Sequence, residues 1–260
     1  MLGCEPRQGF LRRKMKLESL WNYPVKSCGG VQQESLEINQ SGILWNRQWM
    51  IVDEAGQFLT QRQFPQMSQI QTDLTPTSLI LRIDNYAFEI PFNKKLTITR
   101  KVKVWENLVD AWIEDPLIDQ QLSGFLGKSV QLVRSLKCQR PNDIHFADSG
   151  PLHLVNLDSL QALNKELASP IEIGRFRANI IVSGLGAFGE DQLTDFKLGE
   201  IQLSVLKPCI RCNMINIDPS TGVKINSEPL QKLTQIHAVQ GKPAFGILLL
   251  PKNTGTLGFI

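Results

Sequence analysis

The sequence lacks the features that would direct it to a membrane or to a nucleic acid. Its 260 residues carry a formal net charge of only +3, so no strong overall field attracts a polyanion. No run approaches the roughly 18 apolar residues that a membrane-spanning helix needs. The first fourteen residues contain no apolar stretch typical of a secretory signal. We therefore expect a cytoplasmic protein that binds neither nucleic acid nor membrane.

The cysteines do not have the pattern of a disulfide framework. There are five of them at irregular spacing: Cys4, Cys28, Cys138, Cys209 and Cys212. A chain of this length buries enough apolar surface to fold without cross-links. We expect reduced thiols, whose role must be sought in packing or chemistry.

A glycine-rich nucleotide fingerprint is also missing. Residues 184–189 read GLGAFG and follow a predicted strand, but the residues after them show no amphipathic pattern that would begin a helix. A phosphate-binding loop needs that helix N-terminus. The sequence therefore excludes a Rossmann-type nucleotide site here.

Short β-favouring runs are abundant. Segments of four to ten residues, rich in β-branched and aromatic side chains, are separated by Gly, Pro, Asn and Asp; residues 57–62 and 213–218 are among them. Asp84 and Asn85 lie between two such runs and predict a hairpin turn. The pattern predicts a mainly β (α+β) fold with two packed β-barrel-type subdomains and a few short helices.

Three helices are predicted. Asp115 and Pro116 are typical of a helix N-terminus, and Gly127 of the residue that ends it. Leucines at helical spacing predict two more helices over residues 157–168 and 227–236. We expect residues 1–14 to be a disordered tail or a mis-assigned start, residues 15–115 to form the first domain, and residues 116–260 the second.

The strongest chemical motif is Lys207-Pro208-Cys209-Ile210-Arg211-Cys212. A structural zinc site would need four ligands, and only scattered cysteines and three histidines remain. Thioredoxin-like chemistry would need the first cysteine at a helix N-terminus, whereas a strand-like segment follows the motif. Two buried cysteines that act as small apolar side chains are a further reading. Arg211 and Lys207 favour a fourth interpretation, in which a cysteine of the motif binds a metal as a thiolate. Nearby cations stabilise the thiolate form that such binding requires.

Other polar residues stand at ends of predicted strands. Lys26 and Ser27 follow Tyr23-Pro24, Arg47 lies between tryptophans, and Arg177 with Asn179 precedes a strand. Each has an ordinary structural explanation on its own. If they converge, they form a cradle for a phosphate.

Several ordered motifs resemble the MOSC family. YPVKSCGG and WMIVDEAGQFLTQRQFPQM resemble the β-barrel domain that precedes MOSC domains. FADSGPLHLVNLDSLQALN, RFRANIIVSG, AFGEDQL, KPCIRC and IDPSTG resemble the MOSC domain itself. The similarity covers nearly the whole chain after Met15 and extends to amidoxime reducing components and their bacterial counterparts.

The resemblance implies a pterin-dithiolene molybdenum cofactor between the two domains. It makes Cys212 the catalytic thiolate and the protein ligand of the metal. The residues that it assigns to the pterin and phosphate, or to further cofactor contacts, are Lys26, Ser27, Arg47, Asp148, Ser149, Gly150, Arg177, Asn179 and Arg211. Leu248 takes the approximate place of a tyrosine found near the cofactor in the amidoxime reducers.

The implied activity is an oxidoreductase that reduces small N-hydroxylated compounds at a cysteine-ligated molybdenum centre. The chain has no C-x4-C-x2-C run for an iron–sulfur cluster. The resemblance therefore implies a separate flavin or iron–sulfur protein as electron donor. The alternative is a carrier that binds the molybdenum cofactor, or sulfur in transit, without turning over a substrate of its own.

Overall fold

A computed structural model describes residues 15–136 and 144–259. The predicted tail over residues 1–14, with Cys4, and the cysteine at position 138 lie outside the described residues. No helix within the described ranges has the length and apolar character needed to cross a bilayer.

The described part of the chain is mostly β-structure, which confirms the predicted fold class. Its strands are β1 (Lys16–Asn22), β2 (Val31–Gln33), β3 (Ser35–Asn39), β4 (Gly42–Ile43), β5 (Trp49–Asp53), β6 (Gln71–Leu74), β7 (Ser78–Ile83), β8 (Tyr86–Pro91), β9 (Thr99–Val104), β10 (Asn107–Ile113), β11 (Val130–Ser135), β12 (Leu152–Asn156), β13 (Ile180–Ser183), β14 (Asp195–Leu198), β15 (Ile201–Ile210), β16 (Ile217–Asp218), β17 (Val223–Lys224), β18 (Ala238–Val239), β19 (Lys242–Pro251) and β20 (Gly255–Gly258). The α-helices are α1 (Pro116–Leu126), α2 (Leu157–Asn164) and α3 (Glu228–Ile236).

The first half folds around the sheet β5-β11-β10-β9. Alternate residues of β5 face two cores, as the period of a strand requires. Trp49 and Ile51 join the core that includes Ile118 and Leu122 of α1, while Met50 and Val52 face a second core. The predicted domain division between residues 115 and 116 stays a prediction, although the buried face of α1 packs into this first core.

The second half folds around an eight-stranded sheet of order β14-β15-β19-β12-β13-β1-β2, with β18 paired to β19. Leu154 and Ile180 face one core of this sheet, and Val155 and Ile181 face the other, which α2 and α3 cover. Strand β1 belongs to this sheet although it is the first strand of the chain. Its antiparallel partner is β13, with Leu20 opposite Ile180.

The local predictions at α1 and at the hairpin are confirmed. The Asp115 side chain accepts a hydrogen bond from the Leu117 amide, Pro116 begins the helix, and Gly127 ends it with a left-handed φ of 64°. Strands β7 and β8 pair across a two-residue turn in which Asp84 has a φ of 49°. In both places the residue types satisfy a backbone requirement that the local sequence alone specifies.

Two predicted strands are wrong. Residues 57–62 form only isolated bridges and then turns, because the Gln61 side chain donates to the main-chain oxygen of Ser27. Residues Asn213–Asn216 form a 3-10 turn, in which Asn216 is buried and its Oδ1 accepts from the Leu230 amide of α3. Only the last two residues of the predicted strand 213–218 are extended.

Helix α2 is also shorter than predicted. It ends at Asn164 rather than at residue 168. The Asn164 side chain donates to the main-chain oxygen of Ile171 and accepts from its amide, which draws the chain back across the helix end.

Candidate functional site

A cleft between the two halves of the fold brings together all ten predicted site residues. It is lined by Lys26, Ser27, Arg47, Asp148, Ser149, Gly150, Arg177, Asn179, Arg211 and Cys212, with Ala147, His153, Phe176, Cys209, Ile210, Met214 and Leu248 among the described residues. Their convergence is a property of the fold, because they come from five separate stretches of the sequence. Their binding roles stay predictions.

Three of these residues hold left-handed backbone, which side chains other than glycine seldom adopt. The φ angles are 66° at Ser27, 52° at Arg47 and 53° at Arg177. Such conformations cost about 1–3 kcal/mol each and persist where surrounding contacts enforce them. Three residues of the cleft therefore have strained backbone that their surroundings must hold in place.

Tyr23 forms an aromatic platform beneath two arginines. The guanidinium carbons of Arg47 and Arg177 lie 5.2 and 4.4 Å from its ring centroid. Gly30 permits this arrangement, since a Cβ at that position would lie 2.4 Å from Tyr23 Cε1. In the sequence, Tyr23 is distinguished only as part of a predicted strand end.

Further hydrogen bonds fix the same two arginines. Arg47 donates to Asn46 Oδ1 at 3.1 Å and to the main-chain oxygen of Arg177 at 3.2 Å. Arg177 donates through Nη1 to the main-chain oxygen of Cys28. Burial lowers the pKa of Arg47 to about 10, and the neighbouring Arg177 adds to this shift. The two cations are thus held close together despite their repulsion.

Asn179 lies at the cleft, but its amide group is fully engaged by the protein. Its Oδ1 accepts from the His153 amide, and its Nδ2 donates to the main-chain oxygen of Trp21 and to Asn46 Oδ1. Asn179 is completely buried. These contacts make it a support for the arginines rather than a free hydrogen-bonding group.

The cysteine motif lies at the end of β15, and its two thiols differ in exposure. Cys209 is buried, whereas Cys212 is exposed. Arg211 donates to Cys209 Sγ at 2.9 Å and to the main-chain oxygen of Phe176 at 3.0 Å. The reading of two buried, inert cysteines is therefore wrong for Cys212, and the exposed thiol is the one predicted to bind metal.

The loop that carries Asp148, Ser149 and Gly150 is anchored to the first half of the fold. Lys26 is buried and donates to the main-chain oxygen of Phe146 at 3.0 Å and to the Asp148 carboxylate. Burial of the Asp148 carboxyl would raise its pKa, but Lys26 outweighs this and the Asp148 pKa lies well below its ordinary value. The indole of Trp105 donates to the same carboxylate at 2.9 Å.

His153 also lines the cleft, although it was not among the predicted site residues. It lies in β12, it is 5% exposed, and its Nε2 lies 3.1 Å from the main-chain oxygen of Phe245. Burial lowers the pKa of His153 to about 3, with a further contribution from Arg211. The imidazole is therefore neutral near pH 7. A lone histidine among apolar strand residues gives no sequence signal that separates it from a core residue.

The lining residues fit an anionic cofactor. Arg177 Nη2 and Arg211 Nε are buried and have no hydrogen-bond partner within the described part of the chain. Burying a charged donor without an acceptor is costly, so these atoms are suited to a phosphate or another anion. Three arginines and Lys26 face one carboxylate, Asp148, among the described lining residues.

A metal at Cys212 would take most of its ligands from a bound group. Within residues 15–136 and 144–259, no three His, Cys, Asp or Glu side chains are grouped as a metal site. An exposed thiol beside unpaired guanidinium donors is consistent with a metal that arrives inside an anionic cofactor.

Comparison with known proteins gives two successive family matches. The MOSC N-terminal beta barrel domain matches residues 14–129, and the MOSC domain matches residues 141–258. Mitochondrial amidoxime reducing component 2 of Bos taurus is 28% identical over 96% of this chain and 83% of its own length.

A second group of relatives consists of much longer proteins. The molybdenum cofactor sulfurase of Arabidopsis thaliana is 29% identical over 90% of this chain, but the match spans only 32% of the sulfurase. Among solved structures, the YUAD protein from Bacillus subtilis aligns over 94% of this chain and 91% of its own, with 15% identity and a TM-score of 0.40. The two family matches together cover nearly the whole described chain, and this protein is a member of the MOSC family, with a MOSC N-terminal domain followed by a MOSC domain.

Proposed function

We propose that this protein binds a pterin-dithiolene molybdenum cofactor in the cleft and reduces small N-hydroxylated compounds there. The proposal rests on two buried guanidinium atoms that have no partner among the described residues, Arg177 Nη2 and Arg211 Nε. They lie in a cleft that also presents the exposed thiol of Cys212. Amidoxime reducing components and molybdenum cofactor sulfurases among the relatives support the same cofactor class.

The arginines and Lys26 would hold the cofactor's anionic end. Arg guanidinium groups form paired hydrogen bonds with phosphate, and their planar fork fixes its orientation as well as its position. Lys26 is already bound to Asp148 and to the main-chain oxygen of Phe146, so its positive charge is held in place and adds to the attraction for the anion. Cys212 would supply the thiolate ligand, and Ser27, Ser149 and the Gly150 backbone would complete the contacts.

When bound, the cofactor would supply the redox chemistry for the two-electron reduction of an N–OH group. The protein's own task is to hold the thiolate and the anion at fixed positions. Leu248 narrows the cleft beside Gly150, where a Cβ would lie 3.2 Å from Leu248 Cβ. This apolar wall favours substrates whose non-reacting part is apolar.

The first experiment measures molybdenum and pterin in protein purified from a host that makes the cofactor. We expect near-stoichiometric amounts of both, and reduction of benzamidoxime with an artificial electron donor. A thermally stable, folded protein that contains neither molybdenum nor pterin would contradict the proposal. Its physiological electron donor would be a separate flavin or iron–sulfur protein, and we propose a cytoplasmic location.

The second candidate function is that of a cofactor or sulfur carrier. The observation that favours it is the match to sulfurases over 90% of this chain, which places a similar segment inside longer proteins. The benzamidoxime assay separates the two functions. Protein loaded with molybdenum and pterin that reduces no N-hydroxylated compound would support the carrier.

A further inference from the structure

The backbone of His153 is fixed by two hydrogen bonds with Asn179. Its amide donates to Asn179 Oδ1 at 3.2 Å, and its carbonyl oxygen accepts from the Asn179 amide at 2.8 Å. Its ring lies against Gly246, where a Cβ would come within 2.8 Å of His153 Nε2. Gly246 also has a left-handed φ of 71°. The backbone at both positions is therefore shaped around this imidazole.

The contacts of the ring fix its tautomer. Nε2 faces the main-chain oxygen of Phe245, which can only accept, so Nε2 carries the proton. Burial and Arg211 keep the ring neutral, with a pKa of about 3. Nδ1 is therefore left with a lone pair, and within the described residues no group donates to it.

The cleft has many donors and few acceptors. Its cationic side chains can only donate. The amide of Asn179 is engaged by the protein, and Asp148 accepts from Lys26 and from Trp105 through the same carboxylate oxygen, Oδ1. Leaving sulfur aside, the side-chain acceptors that remain among the described lining residues are the serine hydroxyls, Asp148 Oδ2 and His153 Nδ1. Of these, His153 Nδ1 is the neutral acceptor that cannot also donate.

A pterin requires what this nitrogen offers. Its pyrimidine ring carries an exocyclic amino group and ring N–H groups, which need acceptors once they leave water. Cationic residues bind the anionic end of such a cofactor but cannot satisfy these donors. An acceptor next to the arginines would therefore complete the set of contacts.

We propose that His153 accepts a hydrogen bond through Nδ1 from an N–H donor of the bound pterin, and so selects a heterocycle with donors along its edge. This inference depends on the proposed cofactor. His153 is thus a binding residue for the cofactor, and it acts as an acceptor and not as a proton donor.

The test uses ¹⁵N-labelled histidine and nuclear magnetic resonance, which is practical because the chain has only three histidines. His145→Gln and His237→Gln assign the other two rings. In pterin-free protein we expect His153 to be protonated on Nε2 alone, and its Nδ1 resonance to shift on pterin loading as a hydrogen-bonded acceptor does. A proton on Nδ1, or an unchanged Nδ1 resonance in loaded protein, would overturn the inference.

Two variants measure the effect on binding. His153→Leu removes the acceptor, and we expect loaded protein to release pterin about tenfold faster under anaerobic conditions. His153→Asn keeps a polar group near the Nδ1 position, so its rate of pterin release should lie close to that of wild type. Wild-type release rates in His153→Leu would overturn the inference while the proposed function stands, whereas wild-type protein without any pterin would overturn both.

Discussion

Arg47 donates to the main-chain oxygen of Arg177 across 3.2 Å, and both residues have left-handed backbone. The Arg47 side chain thus fixes the backbone position of Arg177. This arrangement leaves Arg177 Nη2 buried without a partner among the described residues, because the rest of its guanidinium is fixed by Cys28 and Tyr23.

We expect Arg177→Ala to weaken pterin binding by about 10- to 100-fold, as the loss of a charge-assisted hydrogen bond implies, and so to lower the pterin occupancy of the purified protein. Arg177→Lys keeps the charge but loses the planar fork, so its occupancy should be intermediate. Oxidation of the released pterin to its fluorescent form measures the occupancy. Arg82→Ala, on the exposed face of β7, is the control and should match wild type. Equal occupancy in Arg177→Ala and wild type would exclude a contact with the cofactor.

Cys212→Ser should abolish benzamidoxime reduction and leave most of the pterin bound. The arginine contacts survive this change, whereas the metal loses its thiolate ligand. Cys209→Ser is the matched control: it replaces a buried sulfur that accepts from Arg211, and a hydroxyl can still accept. We expect only partial loss of activity there. Equal activity in Cys212→Ser and wild type would show that another group binds the metal.

Alkylation should distinguish the thiols by rate. Cys212 is exposed, while burial raises the pKa of Cys28 to about 12. In a background with Cys4→Ser and Cys138→Ser, iodoacetamide should modify Cys212 first and Cys28 only on unfolding. Mass spectrometry of peptides over time measures this order. Modification of Cys28 as fast as Cys212 would contradict the described burial.

Acid should weaken the fold through His153. Its pKa falls from 6.5 to about 3 on folding, mainly because of burial. Between these two pH values the unfolded chain binds a proton that the folded protein excludes, so stability decreases as the pH falls, by about 1.4 kcal/mol per pH unit. His153→Leu should remove this share of the pH dependence. Urea unfolding of both proteins at pH 7 and pH 5 tests it, and identical pH dependence would count against a neutral, buried imidazole.

Gly246→Ala should destabilise the protein strongly. The new Cβ would lie 2.3 Å from the Leu154 main-chain oxygen, in backbone that is left-handed. We expect a loss of at least about 2 kcal/mol in the free energy of unfolding. Gly124→Ala is the matched control, because it lies inside α1 with nothing within 4 Å of the new Cβ. That change should stabilise the protein by about 0.5–1 kcal/mol.

Much of the fold could be predicted because local chemistry determines it. Asp115, Pro116 and Gly127 specify the bounds of α1, and Asp84 with Asn85 specifies a hairpin. The failures occur where distant partners decide the backbone. Gln61 is drawn to the oxygen of Ser27, and Asn216 is drawn to the N-terminus of α3.

The site, too, could be predicted only in part. The resemblance of the sequence motifs to the MOSC family identified ten site residues that periodicity alone could not have grouped. The structure places all ten at one cleft. Tyr23 and His153 were missed as site residues, since an aromatic at a strand end and a histidine within an apolar strand are ordinary core residues in sequence. Only the three-dimensional contacts with Arg47, Arg177 and Phe245 distinguish them.

Strand β1 pairs with β13, which lies about 160 residues further along the chain. At a synthesis rate of about 5–20 residues per second, Leu20 leaves the ribosome roughly 10–30 s before its partner strand exists. The eight-stranded sheet can therefore be completed only late in translation, and until then the nascent chain must keep the edge of β1 that faces β13 out of contact with other chains. A truncated product that ends before β13 could still pair β1 with β2, but the other edge of β1 would stay open, which makes the product a target for chaperones and proteases.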